Sequence, residues 1–140
     1  MMWEKRGGCS LQVSILASGS KGNSVYVEMD GTRLLIDAGI SAARITKSLR
    51  ARGVEPQSLD AVLITHEHID HVRGLKTLAK QYHLPIFATR GTLAGIDGGA
   101  AFEDDMRGIA DDFKIGEVTV RPFAISHDAA EPCGFRIEGS

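Results

Sequence analysis

Residues 60–72 read Asp-Ala-Val-Leu-Ile-Thr-His-Glu-His-Ile-Asp-His-Val, and everything else in the chain is most easily placed relative to them. The run Leu59–Thr65 is short and apolar, the pattern of a buried strand. Directly after it come four strong metal ligands in six residues: His66, His68, Asp70 and His71. In an extended segment, residues i and i+2 point the same way, so His66 and His68 can reach one ion together. Asp70 and His71 follow where the chain should turn into the next helix, and they can serve a second ion beside the first. Imidazole and carboxylate donors suit zinc, and also manganese or iron. The helical zinc-protease pattern is excluded, because it needs histidines at i and i+4 and the residue four after His66 is Asp70. The bland reading is a set of four solvated loop residues. So dense a cluster of titratable groups argues instead for a site.

The flanking sequence supplies the rest of an α/β layer. Leu11–Leu16 alternates in the manner of a strand, and the Gly-rich loop Ala17–Ser24 follows. Val25–Met29 and Arg33–Asp37 flank Asp30-Gly31, a strong signal for a two-residue hairpin turn. Ser41 can cap a helix running to about Arg52, with Ile45 and Leu49 on one face and Gly53 closing it. Leu75, Leu78, Ala79 and Tyr82 stand at helical spacing. Pro85–Thr89, Phe113–Ile115, Val118–Ile125 and Cys133–Ile137 read as strands, while 90–111 is Gly-rich, acidic and only loosely placed. Strands mixed with helices, hairpins included, predict an α/β layered domain with a mixed sheet. Residues 1–10 read as an irregular lead and 11–140 as the domain.

Composition narrows the function classes. A chain of 140 residues, 43% hydrophobic and 24% charged, can build one core and fits an ordinary globular domain. The net charge of −2 gives no global basic field for nucleic acid, although a basic groove on a neutral protein is compatible with it. Glu103, Asp104, Asp105, Asp111 and Asp112 crowd one stretch that reads as a solvated loop or helix end. The two cysteines, Cys9 and Cys133, make no disulfide framework and are expected to be free and reduced. No stretch approaches the roughly 20 apolar residues that span a bilayer, and the opening lacks the pattern of a secretory signal. These features predict a cytoplasmic protein without a membrane partner. Nothing in the sequence fixes an oligomeric state.

Other candidates are weaker. Ser20, Lys21 and Asn23 in the Gly-rich loop could border a substrate phosphate, although Lys21 precedes the second glycine and so rules out a nucleotide-binding P-loop. A tight loop joining two strands is the equal alternative. His83 stands alone after a helix and reads as structural. Asp128, beside His127, reads first as a loop acid. Glu67 lies within the cluster but points away from its neighbours if the segment is extended. Arg44, Lys47 and Arg50 form a basic helix face, most simply a solvated one.

The segments LASGSKGNSVYVE, LLIDAGIS, LITHEHIDHVRGL and ISHDAAEPCGFRIE together resemble the metallo-β-lactamase superfamily, and within it the YycJ/WalJ-type subgroup near the nuclease-like branch. The resemblance covers about Leu11 to Glu138. It implies an αββα sandwich of which this chain is the N-terminal half, a mixed β-sheet with flanking helices. It implies that His66, His68 and His127 hold a first metal, that Asp70 and His71 hold a second, and that Asp37 supports the site by hydrogen bonding. Two divalent ions are implied for the intact protein, zinc first and manganese second, with one or two held by this stretch. The family's bridging carboxylate and final histidine on the second metal have no match before Ser140, which implies a longer protein. The implied activity is that of a metal-dependent hydrolase, foremost a phosphodiesterase acting on nucleic acid in the manner of a DNA exonuclease, using a metal-activated hydroxide. Asp70 would orient the nucleophile, and no residue here matches a general acid. The alternatives are a thioester or lactone hydrolase on the same fold and an inert metal-binding fragment. For such a half-domain the expectation is a large exposed apolar sheet face.

Overall fold

A computed structural model describes residues 2–4 (backbone only), 10–125 and 129–139. The elements run β1 (Met2–Glu4), β2 (Leu11–Ala17), β3 (Ser24–Met29), β4 (Thr32–Ile36), α1 (Ala42–Arg50), β5 (Ala61–Leu63), α2 (Ile69–Val72), α3 (Leu75–Tyr82), β6 (Ile86–Thr89), α4 (Arg90–Gly95), β7 (Met106–Ile109), β8 (Phe113–Ile115), β9 (Val118–Ala124) and β10 (Cys133–Glu138). Two short 3₁₀ turns, Pro56–Ser58 and Gly99–Asp105, lie between them.

Local chemistry accounts for most of these boundaries. The β3–β4 hairpin pairs Met29 with Thr32, so Asp30 and Gly31 are its two turn residues. Both have positive φ, 51° and 80°, the type I′ geometry that the right-handed twist of a hairpin favours. The Ser41 side chain accepts a hydrogen bond from the Arg44 N–H at the start of α1, satisfying a donor that the helix itself leaves open. Ile45 and Leu49 are buried on one face of that helix.

Two sheets form among the described residues. The larger has the order β2-β3-β4-β5-β6-β7, with β2, β3 and β4 antiparallel and β4 to β7 parallel. The smaller has the order β1-β10-β9-β8. Alternation along each strand divides the core in two. Leu35, Val62 and Ile64 face the helices, packing with Ile45, Leu49 and Leu78. Leu34, Ile36, Ala61 and Leu63 face the smaller sheet, against Val118, Val120, Phe135 and Ile137. The layers are therefore helices, large sheet, small sheet, and the continuous apolar run of β5 is explained by burial on both sides.

Three expectations are corrected. The lead is not irregular throughout, because Met2–Glu4 lies parallel to β10, whose other edge is already taken by β9. The loosely placed stretch 90–111 contains α4, a 3₁₀ turn and the edge strand β7 paired with β6. Its acids are mostly exposed, as expected. The outer face of the small sheet is also not broadly apolar. Arg121 pairs with Glu138 at 3.1 Å, and Arg136 pairs with Glu138 at the same distance. Phe123 is the large apolar side chain left 40% exposed on that face.

Phe135 is fully buried where the two sheets meet. Phe135→Ala is expected to lower unfolding free energy by about 3–5 kcal/mol, measured by urea denaturation followed by circular dichroism.

Candidate metal centre

Strands β4 and β5 are parallel neighbours, with Ile36 opposite Leu63. Their C-terminal ends therefore deliver Asp37 and the Thr65-His66 pair side by side, beyond the carboxyl ends of the strands of an open α/β sheet, where ligands commonly bind. The Asp37 N–H donates to Leu63 O at 2.8 Å, extending the ladder one step. Asp37 then turns out of the strand with φ at 62°, a left-handed conformation uncommon for a residue other than glycine. Such backbone persists when its surroundings over-determine it, and here the side chain supplies the constraint.

The Asp37 carboxylate is buried and fully engaged. Oδ1 accepts from the Thr65 N–H at 2.8 Å, and Oδ2 accepts from the Thr65 hydroxyl at 2.8 Å and from His71 Nδ1 at 2.6 Å. Thr65 Oγ1 lies 2.8 Å from His66 Nδ1. Proton counting sets the direction of this chain. An ionised carboxylate only accepts, so the single Thr65 hydroxyl proton goes to Asp37. The Thr65 oxygen then accepts from His66, which makes Nδ1 the protonated nitrogen of both rings. Each Nε2 is left with its lone pair, the form in which imidazole binds a metal.

His66 is buried, and its ring centroid lies 3.7 Å from that of His71 and 5.2 Å from that of His68. His68 stands immediately before the four-residue helix α2, which carries Asp70 and His71 back toward the strand ends. Asp70 Oδ2 lies 3.4 Å from His71 Nε2. Two donors bound tetrahedrally to zinc at about 2.0–2.1 Å sit about 3.3 Å apart, so this pair is already spaced as one edge of a coordination shell. Among the described residues no three such donors converge on a single ion position. His127 and Asp128 lie outside the described residues, as does Cys9. The donor chemistry and the spacing fit a divalent cation.

Burial alone would pull the His71 pKa down. The hydrogen bond that His71 Nδ1 donates to Asp37, the charge of Asp37 and the charge of Asp70 outweigh this and hold it above the ordinary imidazole value. Cys133, buried in the same wall, is pushed up to about 12 by burial and by the charges of Asp37 and Glu131.

These groups line a cleft of about 300 Å³ that takes in Asn23, Asp37, Thr65, His66, His71 and Cys133. Ile15 and Ile125 stand at its rim, 64% and 37% exposed. Of the loop residues expected near substrate, Asn23 reaches the cleft, while Ser20 and Lys21 are exposed and do not line it. Glu67 does point away from its histidine neighbours. Its Oε1 accepts from the Ala130 N–H at 2.8 Å, tying the β9–β10 loop to the histidine segment. His83 ends α3 in a left-handed conformation, far along the chain, with Nδ1 3.4 Å from Asp105. Arg44, Lys47 and Arg50 are exposed on α1, and Arg50 pairs with Glu55. Thr65 is the functional residue that sequence reasoning missed; its signal was present as the hydroxyl residue joining the strand to the first histidine.

Residues 17–134 match the metallo-beta-lactamase superfamily. The chain belongs to that superfamily. It is 38% identical over 129 residues to "Exodeoxyribonuclease WalJ" of Streptococcus pneumoniae serotype 2, an alignment covering 88% of this chain and 48% of that protein. It is 37% identical over 126 residues to "Exodeoxyribonuclease YycJ" of Bacillus anthracis, covering 87% and 48%. The resemblance to the YycJ/WalJ type is thereby borne out, and the chain spans about half the length of these relatives. Among solved structures, a diphosphatase of the PhnP family superposes with a TM-score of 0.72 at 19% identity, covering 91% of this chain and 63% of that one. A B3 metallo-beta-lactamase with an active-site glutamic acid does so with a TM-score of 0.72 at 19% identity, covering 88% and 53%. At such identities the likeness shows the fold, and it confirms the expected half of the sandwich.

Two measurements check the site. Asp37→Ala strands the Thr65 and His71 donors, each worth about 1–3 kcal/mol when left buried and unsatisfied, so a loss on the order of 3 kcal/mol in urea unfolding is expected. Cys133 is expected to resist alkylation in the folded protein and to label at the rate of unfolding in denaturant, read by mass spectrometry of its peptide.

Proposed function

We propose that this chain carries the metal-binding half of a metal-dependent phosphodiesterase that degrades DNA from an end. The observation that carries this reading is the Asp37–Thr65–His66 and Asp37–His71 network, which engages Nδ1 of two histidines that line one cleft. A buried carboxylate whose three hydrogen bonds go to Thr65 and His71, and through them orient two imidazoles, is the arrangement that supports a ligated ion. The names of the WalJ and YycJ relatives supply the substrate class.

In this reading His66 and His68 hold one ion, with His127 as third ligand, and Asp70 and His71 contribute to a second. Zinc suits the nitrogen-rich first set, and manganese is the second candidate. Bound divalent ions lower the pKa of water toward about 7 and stabilise charge developing on a phosphoryl group. The chain's own residues do the rest. Asp37 keeps the imidazoles in the required tautomer. Asp70, whose Oδ2 lies 3.4 Å from His71 Nε2, would accept a hydrogen bond from the attacking water and orient it. Because His71 holds its proton more tightly than a free imidazole, an ion must displace that proton, and binding weakens as pH falls through the raised pKa. Among the described residues no helix is long and apolar enough to cross a membrane, and Cys133 is a free thiol; both fit an enzyme of the cytoplasm.

The test uses the 140-residue chain and the product of the whole gene that encodes it. End-labelled DNA and a thioester are each incubated with zinc or manganese. Release of nucleotides without thioester turnover is expected, and thioester turnover without nucleotide release would overturn the proposal. His66→Ala and His68→Ala should each lower DNA turnover by at least about 10²-fold, the scale of losing one electrostatic stabiliser. His83→Ala should leave it unchanged.

A further inference from the structure

Asn23 sits in the Gly-rich loop that reads, in the sequence, as a rim for substrate phosphates. Its contacts run inward instead. The Asn23 N–H donates to Asp70 O at 2.7 Å, and Asn23 O accepts from the Gly39 N–H at 2.8 Å. Its side-chain Oδ1 accepts from the Gly19 N–H at 3.1 Å, which fixes the orientation of the amide. The Nδ2 end then donates to Gly19 O at 2.8 Å and lies 3.3 Å from each of Asp70 O, Asp70 Oδ2 and His71 Nε2. Since Asp70 Oδ2 and His71 Nε2 are 3.4 Å apart, the amide nitrogen completes a near-equilateral triangle with the two donors.

The backbone around it makes this approach feasible. A Cβ on Gly39 would lie 1.8 Å from Asp70 O and 2.6 Å from Asn23 N. A Cβ on Gly22, whose φ of +155° already disfavours other residues, would lie 2.5 Å from Gly39 O. Three segments far apart in sequence are thus packed backbone to backbone so that this one amide can reach the pair.

We propose that Asn23 is a positioning residue for Asp70 and His71, acting through the one amide proton that Gly19 O leaves over, shared between both donors, and not through substrate. Its consequence for metal affinity rests on the metal-binding reading above. In the metal-free protein the partial positive charge of the amide N–H group lies between two electron-rich atoms and holds them one coordination edge apart. His71 Nε2 has a single lone pair, so an arriving ion displaces the amide from it, while the amide keeps Gly19 O and Asp70. Removing Asn23 therefore has two opposed effects: it frees Nε2 from a competitor, and it releases Asp70 and His71 from their set positions. The competing bond is long and neutral, whereas losing a group that orients ligands typically weakens metal binding about 10–100-fold. The loss of position wins.

The test is a zinc titration of the 140-residue chain, labelled with ¹⁵N in its histidine rings, for the unsubstituted protein, Asn23→Ala and the nearly isosteric Asn23→Leu. In both variants the zinc concentration at which the His71 Nε2 resonance shifts should rise by about 10-fold or more. In the metal-free spectra that resonance should move toward the position of an unbonded nitrogen. Variants that titrate like the unsubstituted chain, or rescue by Leu, would overturn the proposal by reducing Asn23 to a shape-filling role. Zinc that leaves the His71 ring of the unsubstituted chain unmoved would sink the metal reading instead, and the metal-free shift would still decide whether Asn23 engages His71. An unchanged metal-free shift in Asn23→Ala counts against the proposal on its own.

Discussion

One buried carboxylate organises this molecule's chemistry. Asp37 stands where strand β4 ends, takes a backbone conformation that a non-glycine residue seldom adopts, and spends its acceptor capacity on Thr65 and His71. Placing a charge in a low-dielectric wall is unfavourable unless it is fully hydrogen-bonded. That condition is what fixes the neighbours. The hydroxyl of Thr65 can point only one way, so the tautomer of His66 follows from it, and the tautomer of His71 follows directly. A single electrostatic requirement is thereby converted into the orientation of two rings.

The fold serves this requirement by putting two parallel strand ends in register. Leu34, Ile36, Ala61 and Leu63 are held from one side by the small sheet and from the other by helices packed on Leu35, Val62 and Ile64. A strand packed on both faces cannot slip by one residue without turning an apolar set the wrong way, so the positions of Asp37 and Thr65 inherit the rigidity of the core. The Cys133 N–H adds a bond to Thr65 O at 2.9 Å, tying the start of β10 to the same point. Rigid elements that carry a site are what keep its geometry.

Much of this was legible in the sequence because it is local. The β5 run and the histidine cluster are contiguous, so spacing alone places His66, His68, Asp70 and His71 near each other. Asp30-Gly31 and Ser41 carry their structural meaning in two to four residues. What was not legible is held together across the chain. The bonds from Asn23 to Asp70 join residues 47 apart, and nothing near Asn23 announces them. The Glu67–Ala130 bond spans 63 residues. Strand β7 reads Met-Arg-Gly-Ile and is half exposed at an edge, so it lacks the alternation that would mark it. Thr65 was in plain view, but its role appears only when Asp37 is brought beside it.

The central claim is that Asp37, through Thr65, presents His66 to a cation by Nε2. Crystals of the chain grown with zinc and measured at the zinc absorption edge would test it most directly. An anomalous peak about 2.0–2.1 Å from His66 Nε2, with Nδ1 still against Thr65 Oγ1, is the predicted result. A peak on Nδ1, or an ion bound away from the Asp37 network, would contradict the account.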